Sequence, residues 1–231
     1  MTGPVAVTGA SGFIGRALVR RLSRSGFRVR ALCRRPEPGL GESGAEIVLG
    51  ELEDYESLER LMDGAEVVVH AAGAVRVRSR RDFDAINRRG TANLVAALVL
   101  SGRLRRLILV SSLAAREPAL SAYAASKRMA EQEVESRRSQ LLDFCILRPP
   151  AVYGPGDRAT LPIFRQLARG LLLVPAPSDA RFSLLFVEDM AELVERLVQA
   201  PRWGGVTLEP DDGRPGGYAW RDLAAIAGRA L

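Results

Sequence analysis

Val5-Ala6-Val7-Thr8-Gly9-Ala10-Ser11-Gly12-Phe13-Ile14-Gly15 decides how this 231-residue chain reads. Four residues, three of them β-branched, predict a short strand. A turn carrying Gly9, Gly12 and Gly15 follows, and the apolar spacing beyond it predicts a helix over residues 13–25, ending before Gly26. Glycines let the backbone turn sharply and approach a pyrophosphate, which would rest on the N–H groups and positive end of the helix. Such a turn says little by itself. Between a strand and a helix it points to a dinucleotide site.

Working outward, short β-branched runs keep alternating with amphipathic stretches as far as residue 148. Strands are predicted at 28–33, 45–49, 66–70, 107–110 and 144–147, and helices at 55–62 (N-cap Asp54), 82–100 and 121–137. The solid valine run before His70 suits a strand covered on both faces. The predicted fold class is therefore α/β, a doubly wound parallel sheet of the Rossmann kind. Arg148-Pro149-Pro150 ends the regularity. Weaker elements follow, with helices at 161–169, 189–199 and 220–230 and strands at 183–186 and 206–208. The chain divides into a dinucleotide-binding domain, 1–148, and a small, reduced substrate lobe, 149–231, partly interleaved with it. The loop 34–44, with two prolines and three glycines, is expected to be mobile.

Composition narrows the classes of function. With 47% apolar and 26% charged residues the chain suits an ordinary globular protein. Cys33 and Cys145 lie in apolar runs without metal-ligand spacing, which predicts two buried thiols, no metal and a reducing, cytoplasmic location. Met1-Thr2-Gly3-Pro4 leads straight into the strand with no charged region before an apolar core, so no signal peptide is expected. No apolar run approaches the ~20 residues that span a bilayer. The net charge of +6 is scattered among acidic residues and aromatics are only 6%, which argues against nucleic acid. An anionic substrate or membrane surface would feel only a weak pull.

Lys127 is the one lysine among 33 basic residues. It stands four residues after Tyr123 in Tyr123-Ala124-Ala125-Ser126-Lys127, and Ser111-Ser112 lies eleven residues upstream of that tyrosine. A phenol, a hydroxyl and a compact ammonium are the parts of a proton-transfer site, and a planar guanidinium does not replace the ammonium freely. The end of the second strand bears on the cofactor. An NAD site places a carboxylate there for the ribose 2′-hydroxyl; this chain has Cys33 followed by Arg34 and Arg35. Guanidinium groups hold a 2′-phosphate with charge-assisted hydrogen bonds, so NADP is expected over NAD.

Together these residues resemble the extended short-chain dehydrogenase/reductases, the group of the NAD-dependent epimerases and dehydratases. Thr8 to Gly15 resembles that family's cofactor turn, His70-Ala71-Ala72-Gly73 its loop after strand four, and Asn87 to Leu94 its Asn-x-x-Gly-Thr-x-Asn-Leu helix. Val110-Ser111-Ser112, Tyr123 to Lys127, and Arg148 to Gly156 follow in the family's order. The resemblance implies that Gly9, Ser11, Gly12, Phe13, Ile14 and Gly15 bind the cofactor pyrophosphate, that Arg34 and Arg35 bind at the adenosine ribose, and that Glu51 and Leu52 stand near the adenine. Ala71, Ala72 and Gly73 would line the cofactor. Tyr123 would exchange a proton with the substrate oxygen, Lys127 would acidify that phenol and hold the nicotinamide ribose, and Ser112, rather than Ser111, would bind the reacting oxygen. His70 and Asn87 are expected to be structural, and Asp189 a helix cap or a supporting contact.

The implied function is an NADP-dependent oxidoreductase passing a hydride between nicotinamide and a carbonyl or secondary alcohol of a small molecule. A nucleotide-sugar epimerase or dehydratase with bound NAD(P), and a non-catalytic NADP-binding redox sensor, remain as alternatives. The short tail after Asp222 makes a nucleotide-sugar lobe less expected, and leaves open a pocket completed by a second subunit of a homodimer.

Overall fold

β1 (Val5–Thr8) is buried along its whole length because a strand pairs on each edge of it and helices cover both faces. The computed structural model describes residues 3–102, 106–141, 143–170, 177 and 180–230. The chain continues from β1 through α1 (Phe13–Arg24), β2 (Val29–Cys33), α2 (Pro38–Gly41), β3 (Glu46–Leu49), α3 (Tyr55–Met62) and β4 (Val67–His70). Next come α4 (Arg80–Phe83), α5 (Gly90–Leu100), β5 (Arg106–Val110), α6 (Ala122–Glu135) and β6 (Asp143–Leu147). The last segment holds β7 (Ala151–Tyr153), α7 (Leu161–Leu167), β8 (Arg181–Phe182), β9 (Leu184–Phe186), α8 (Val187–Gln199), β10 (Val206–Leu208), β11 (Tyr218–Ala219) and α9 (Trp220–Ala230).

Seven strands form one sheet in the order β10-β6-β5-β4-β1-β2-β3, every pairing parallel. The fold is Rossmann-like. The chain runs outward from β1 to β3, then returns to β4 on the other side. That reversal opens a crevice at the carboxyl ends of β1 and β4, where Thr8 and His70 are register partners. One core layer packs Leu18 and Leu22 of α1 and Met190 and Val194 of α8 on the sheet. The other packs Leu58 and Leu61 of α3, Leu94 of α5 and Val134 of α6. Caps set the starts of two helices: Asp54 accepts from the Ser57 N–H at 3.3 Å, and Ser121 from the Ala124 N–H at 3.0 Å.

Three features depart from, or refine, the sequence reading. The helix predicted over 82–100 is interrupted, with α4 giving way to a π-helical turn at Asp84–Arg89 before α5 begins. The wider turn carries Asn87 inward, to a role described below. In the loop 34–44, expected to be mobile, α2 buries Leu40 in the first core layer. Beyond residue 148, β10 extends the main sheet beside β6 and α8 packs on α1, while Leu167, Leu184 and Leu223 make a separate small core.

Candidate active site

The glycine turn is built from two glycines that the fold itself demands and one that it does not. Gly9 has φ +68°, and a Cβ there would lie 2.5 Å from the Ala71 carbonyl carbon. A Cβ on Gly15 would lie 2.8 Å from Ala10 Cα and deeper still against the Gly9 carbonyl. These two positions press the turn onto the loop after β4 and α1 onto the turn. Gly12 differs: it is the N-cap of α1 with φ −76°, and a Cβ there would meet only the Gly9 oxygen, at 3.2 Å. Ser11 and Gly12 are exposed, and the first turn of α1 has neither a side-chain cap nor an acidic residue. Phe13 and Ile14 pack their side chains on the core behind.

At the carboxyl end of β2, Cys33 is buried and Arg34 and Arg35 are exposed. The carboxylate nearest this strand end, Glu37, is already paired with Arg16 at 2.6 Å, and Arg16 also donates to the Ser11 carbonyl at 3.0 Å. Glu51 is exposed, and Leu52 packs towards Gly90 of α5. The Ala71 N–H donates to the Thr8 carbonyl at 3.2 Å, which holds the Ala71-Ala72-Gly73 loop beside the glycine turn.

Lys127 is 6% exposed, and its ammonium donates to the Val110 carbonyl at 2.8 Å. Burial lowers its pKa to about 8, and the nearby Glu131 charge works against that fall. A Cβ on Gly73 would stand 3.5 Å from Lys127 Nζ and 3.2 Å from Asn87 Oδ1. The exposed Gly73 thus lies close beside the ammonium. Asn87 fixes this loop: its Oδ1 accepts from the Ala74 N–H at 2.7 Å, and its Nδ2 donates to the Ala74 carbonyl and to Ser126 Oγ. His70 is fully buried between Thr8 Oγ1 at 2.6 Å and Thr91 Oγ1 at 3.0 Å. The Thr91 hydroxyl donates to the Asn87 carbonyl, so it accepts from His70 Nε2–H, and Nδ1 accepts from Thr8. Burial, helped by Lys127, lowers this histidine to about 3. It is a neutral structural clasp across β1, β4 and α5.

The adjacent serines do different things. The Ser112 side chain lies by Tyr123 and works against the rise of its pKa, while its Oγ accepts from the Ala114 N–H at 3.2 Å. Ser111 turns the other way and donates to Glu131 Oε1 at 2.6 Å. Glu131, fully buried, also accepts two hydrogen bonds from Arg148, at 2.8 and 2.7 Å, and one from Arg128 at 2.8 Å. Burial alone would raise its pKa, yet the bonds from Arg148, Ser111 and Arg128 hold it below the usual carboxylate range. The expectation that Lys127 acidifies the phenol needs correcting. Burial raises the Tyr123 pKa, the Ser112 hydroxyl opposes that rise, and the ammonium is engaged with Val110. Without cofactor, Tyr123 is a protonated phenol at neutral pH. Phe83 covers its ring with a centroid separation of 5.8 Å.

The structure thus brings Ser112, Tyr123, Lys127 and the 71–73 loop to the crevice beside the glycine turn. The sequence reading missed Phe83, Glu131 and Arg148 as supports. Asp189 lies in the first turn of α8, whose N-cap is Phe186 without a side-chain bond, so it is no cap. Both cysteines are free and buried; burial raises Cys33, and burial with Asp143 lifts Cys145 to about 12. Among the described residues no group of three or more His, Cys, Asp or Glu side chains is placed to hold a metal ion, and no helix is long and apolar enough to cross a membrane. An open depression of about 770 Å³ beside β3, bordered by Arg30, Leu49 and Arg60, includes none of the predicted site residues. The bare N-terminus of α1 and the Lys127 ammonium beside the Gly73 loop do fit a dinucleotide: one offers backbone donors to an anion, the other a cationic donor.

The model of the NAD dependent epimerase/dehydratase family matches residues 5–207. The chain belongs to that family. It is an NAD(P)-dependent oxidoreductase of the short-chain dehydrogenase/reductase type. Its sequence is 42% identical over 231 residues to a ceramide reductase of Caulobacter vibrioides, covering 99% of this chain and 71% of that protein. A 2-alkyl-3-oxoalkanoate reductase of Shewanella oneidensis is 30% identical over 190 residues, 72% of this chain and 48% of the relative. Among solved structures, MoeE5 in complex with UDP-glucuronic acid and NAD superposes with a TM-score of 0.85 at 26% identity, covering 99% of this chain and 82% of that one.

Proposed function

We propose that the protein is an NADP-dependent reductase that converts a ketone on a long apolar molecule into a secondary alcohol, with Tyr123 as proton donor. The observation that carries this reading is the half-buried phenol of Tyr123 beside Ser112, one helical turn before the buried ammonium of Lys127. A phenol is protonated at neutral pH, and that is the form carbonyl reduction consumes. The bound cofactor would supply the hydride to the carbonyl carbon. Ser112 orients the carbonyl oxygen, and Tyr123 gives that oxygen the proton that completes the alcohol. Lys127, fixed by Val110, keeps N–H donors for the ribose hydroxyls. Phe83 shields the phenol from water. Arg34 and Arg35 support NADP, because they offer two exposed guanidinium groups where NAD sites carry a carboxylate. The substrate class draws on the names of the relatives, a ceramide reductase and a reductase of 2-alkyl-3-oxoalkanoates.

The test is incubation with NADPH or NADH and a long-chain β-ketoamide, following loss of reduced cofactor and formation of the alcohol by mass spectrometry. Stoichiometric alcohol with at least tenfold preference for NADPH is expected, and Arg34→Ala with Arg35→Ala should erase that preference. Equal use of NADH overturns the NADP assignment. Cofactor that cycles without net consumption points to an epimerase and overturns the reductase.

A further inference from the structure

Resting on the reductase reading above, the geometry points to a second part of the same site: we infer that the apolar cavity of the C-terminal lobe holds an unbranched alkyl chain of the substrate. The cavity has a volume of about 350 Å³ and is walled by Tyr153, Ile163, Phe164, Phe182, Leu184 and Trp220. Its few polar neighbours are committed elsewhere. The Thr160 hydroxyl donates to Asp157, and the Arg181 guanidinium donates to the Gly216 and Gly217 carbonyls at 3.2 and 3.4 Å. The pocket is half open to solvent and its walls offer water few polar partners. Its volume falls in the lower range of small-molecule pockets, roughly 300–1,000 Å³, and burying an apolar chain against such walls is favourable.

Its position selects the occupant. The Leu113 N–H, next to Ser112, donates to the Pro149 carbonyl at 2.9 Å. Two residues on, roughly 7 Å along an extended chain, Ala151 lines the cavity, and Tyr153 lines it from the same face of β7. The exit loop of β7 then approaches the dinucleotide turn, with Phe13 3.9 Å from where a Gly156 Cβ would stand. One strand therefore joins the wall of the cavity to both ends of the candidate catalytic crevice. A molecule with its ketone at Ser112 and Tyr123 has an apolar space within reach for its tail.

Trp220 supplies a readout independent of turnover. Bromo-undecanol should quench tryptophan emission saturably in the wild type. The Trp220→Phe protein, left with only Trp203, should lose that response. In parallel, kcat/KM for β-ketoesters with tails of one to eleven carbons should rise by about fourfold per methylene until the cavity is filled. Ala151→Phe should flatten that rise. Reduction of short ketones without chain-length dependence and without quenching overturns the cavity assignment and leaves the reductase reading standing. Quenching with no reduction of any ketone keeps the cavity as an alkyl site and overturns the reductase. Trp220 emission that responds to protein concentration, and not to the alcohol, marks a second copy as occupant and also overturns the assignment.

Discussion

Replacing each of the three turn glycines by alanine separates what the fold needs from what the cofactor needs. At Gly9 an alanine must adopt φ +68° and push its Cβ to 2.5 Å from the Ala71 carbonyl carbon. The left-handed conformation costs roughly 1–2 kcal/mol and overpacking a further 1–3 kcal/mol, so at least about 2 kcal/mol should be lost. For a chain of this size that lowers Tm by at least about 4 °C. Gly15→Ala forces backbone against backbone and should also destabilise, by about 2 kcal/mol or more. Gly12→Ala is different in kind. Its φ of −76° suits any residue, the loss of unfolded-state freedom stabilises by about 0.4–1 kcal/mol, and the 3.2 Å contact takes back a similar amount. Its Tm should stay within about 3 °C of wild type. The added methyl nevertheless stands where a pyrophosphate would meet the exposed backbone, so calorimetric titration with NADPH should show affinity reduced at least tenfold, about 1.4 kcal/mol. A Gly12→Ala protein that melts normally and binds NADPH as tightly as wild type would refute the assignment of the pyrophosphate to this turn.

Other perturbations test the supports of the site. His70 is the only histidine and sits near 3 when folded against 6.5 when unfolded. Its stabilising contribution is complete above pH 6.5 and declines as pH falls towards 3, because the unfolded chain alone takes up the proton. Urea unfolding should lose about 1.4 kcal/mol between pH 7.5 and 5.5, and His70→Gln should remove most of that slope. Glu131→Gln leaves Arg148, among the described residues, with only Glu209, at 3.3 Å, for a charged partner, so stability should fall by about 3 kcal/mol; a change below 1 kcal/mol would show that the buried network is dispensable. Because burial places Lys127 near 8, its ammonium is present below that pH and lost above it. The kcat/KM for NADPH should accordingly decline as pH rises through about 8, and this alkaline limb should be missing from whatever activity Lys127→Met retains.

Much of the site was legible because its signals are local. A strand, three glycines and a helix are adjacent in sequence, and the Tyr123–Lys127 spacing is one helical turn. What escaped depends on burial and on long-range contact. Glu131 follows Lys127 by one further turn, and its sequence neighbours cannot distinguish a buried counter-charge from a solvated glutamate; only Arg148 and Ser111, brought in by neighbouring strands, make the difference. The π-helical turn left no periodicity signal, because six residues are too few to shift the pattern of a nineteen-residue window. Asn87 shows what the turn achieves, reaching across to Ala74 thirteen residues away. The direction of the Tyr123 shift was misread for the same reason: proximity to an ammonium in sequence says nothing about the carbonyl of Val110, which accepts a hydrogen bond from that ammonium.

The central claim is that Tyr123 delivers the proton in a ketone reduction. Single-turnover oxidation of bound NADPH by a long-chain β-ketoamide, compared between wild type and Tyr123→Phe, tests it most directly. The account predicts a rate lower by about 10²–10⁴-fold in the variant, with NADPH affinity and Tm unchanged. A Tyr123→Phe protein that oxidises NADPH within a fewfold of the wild-type rate would contradict it.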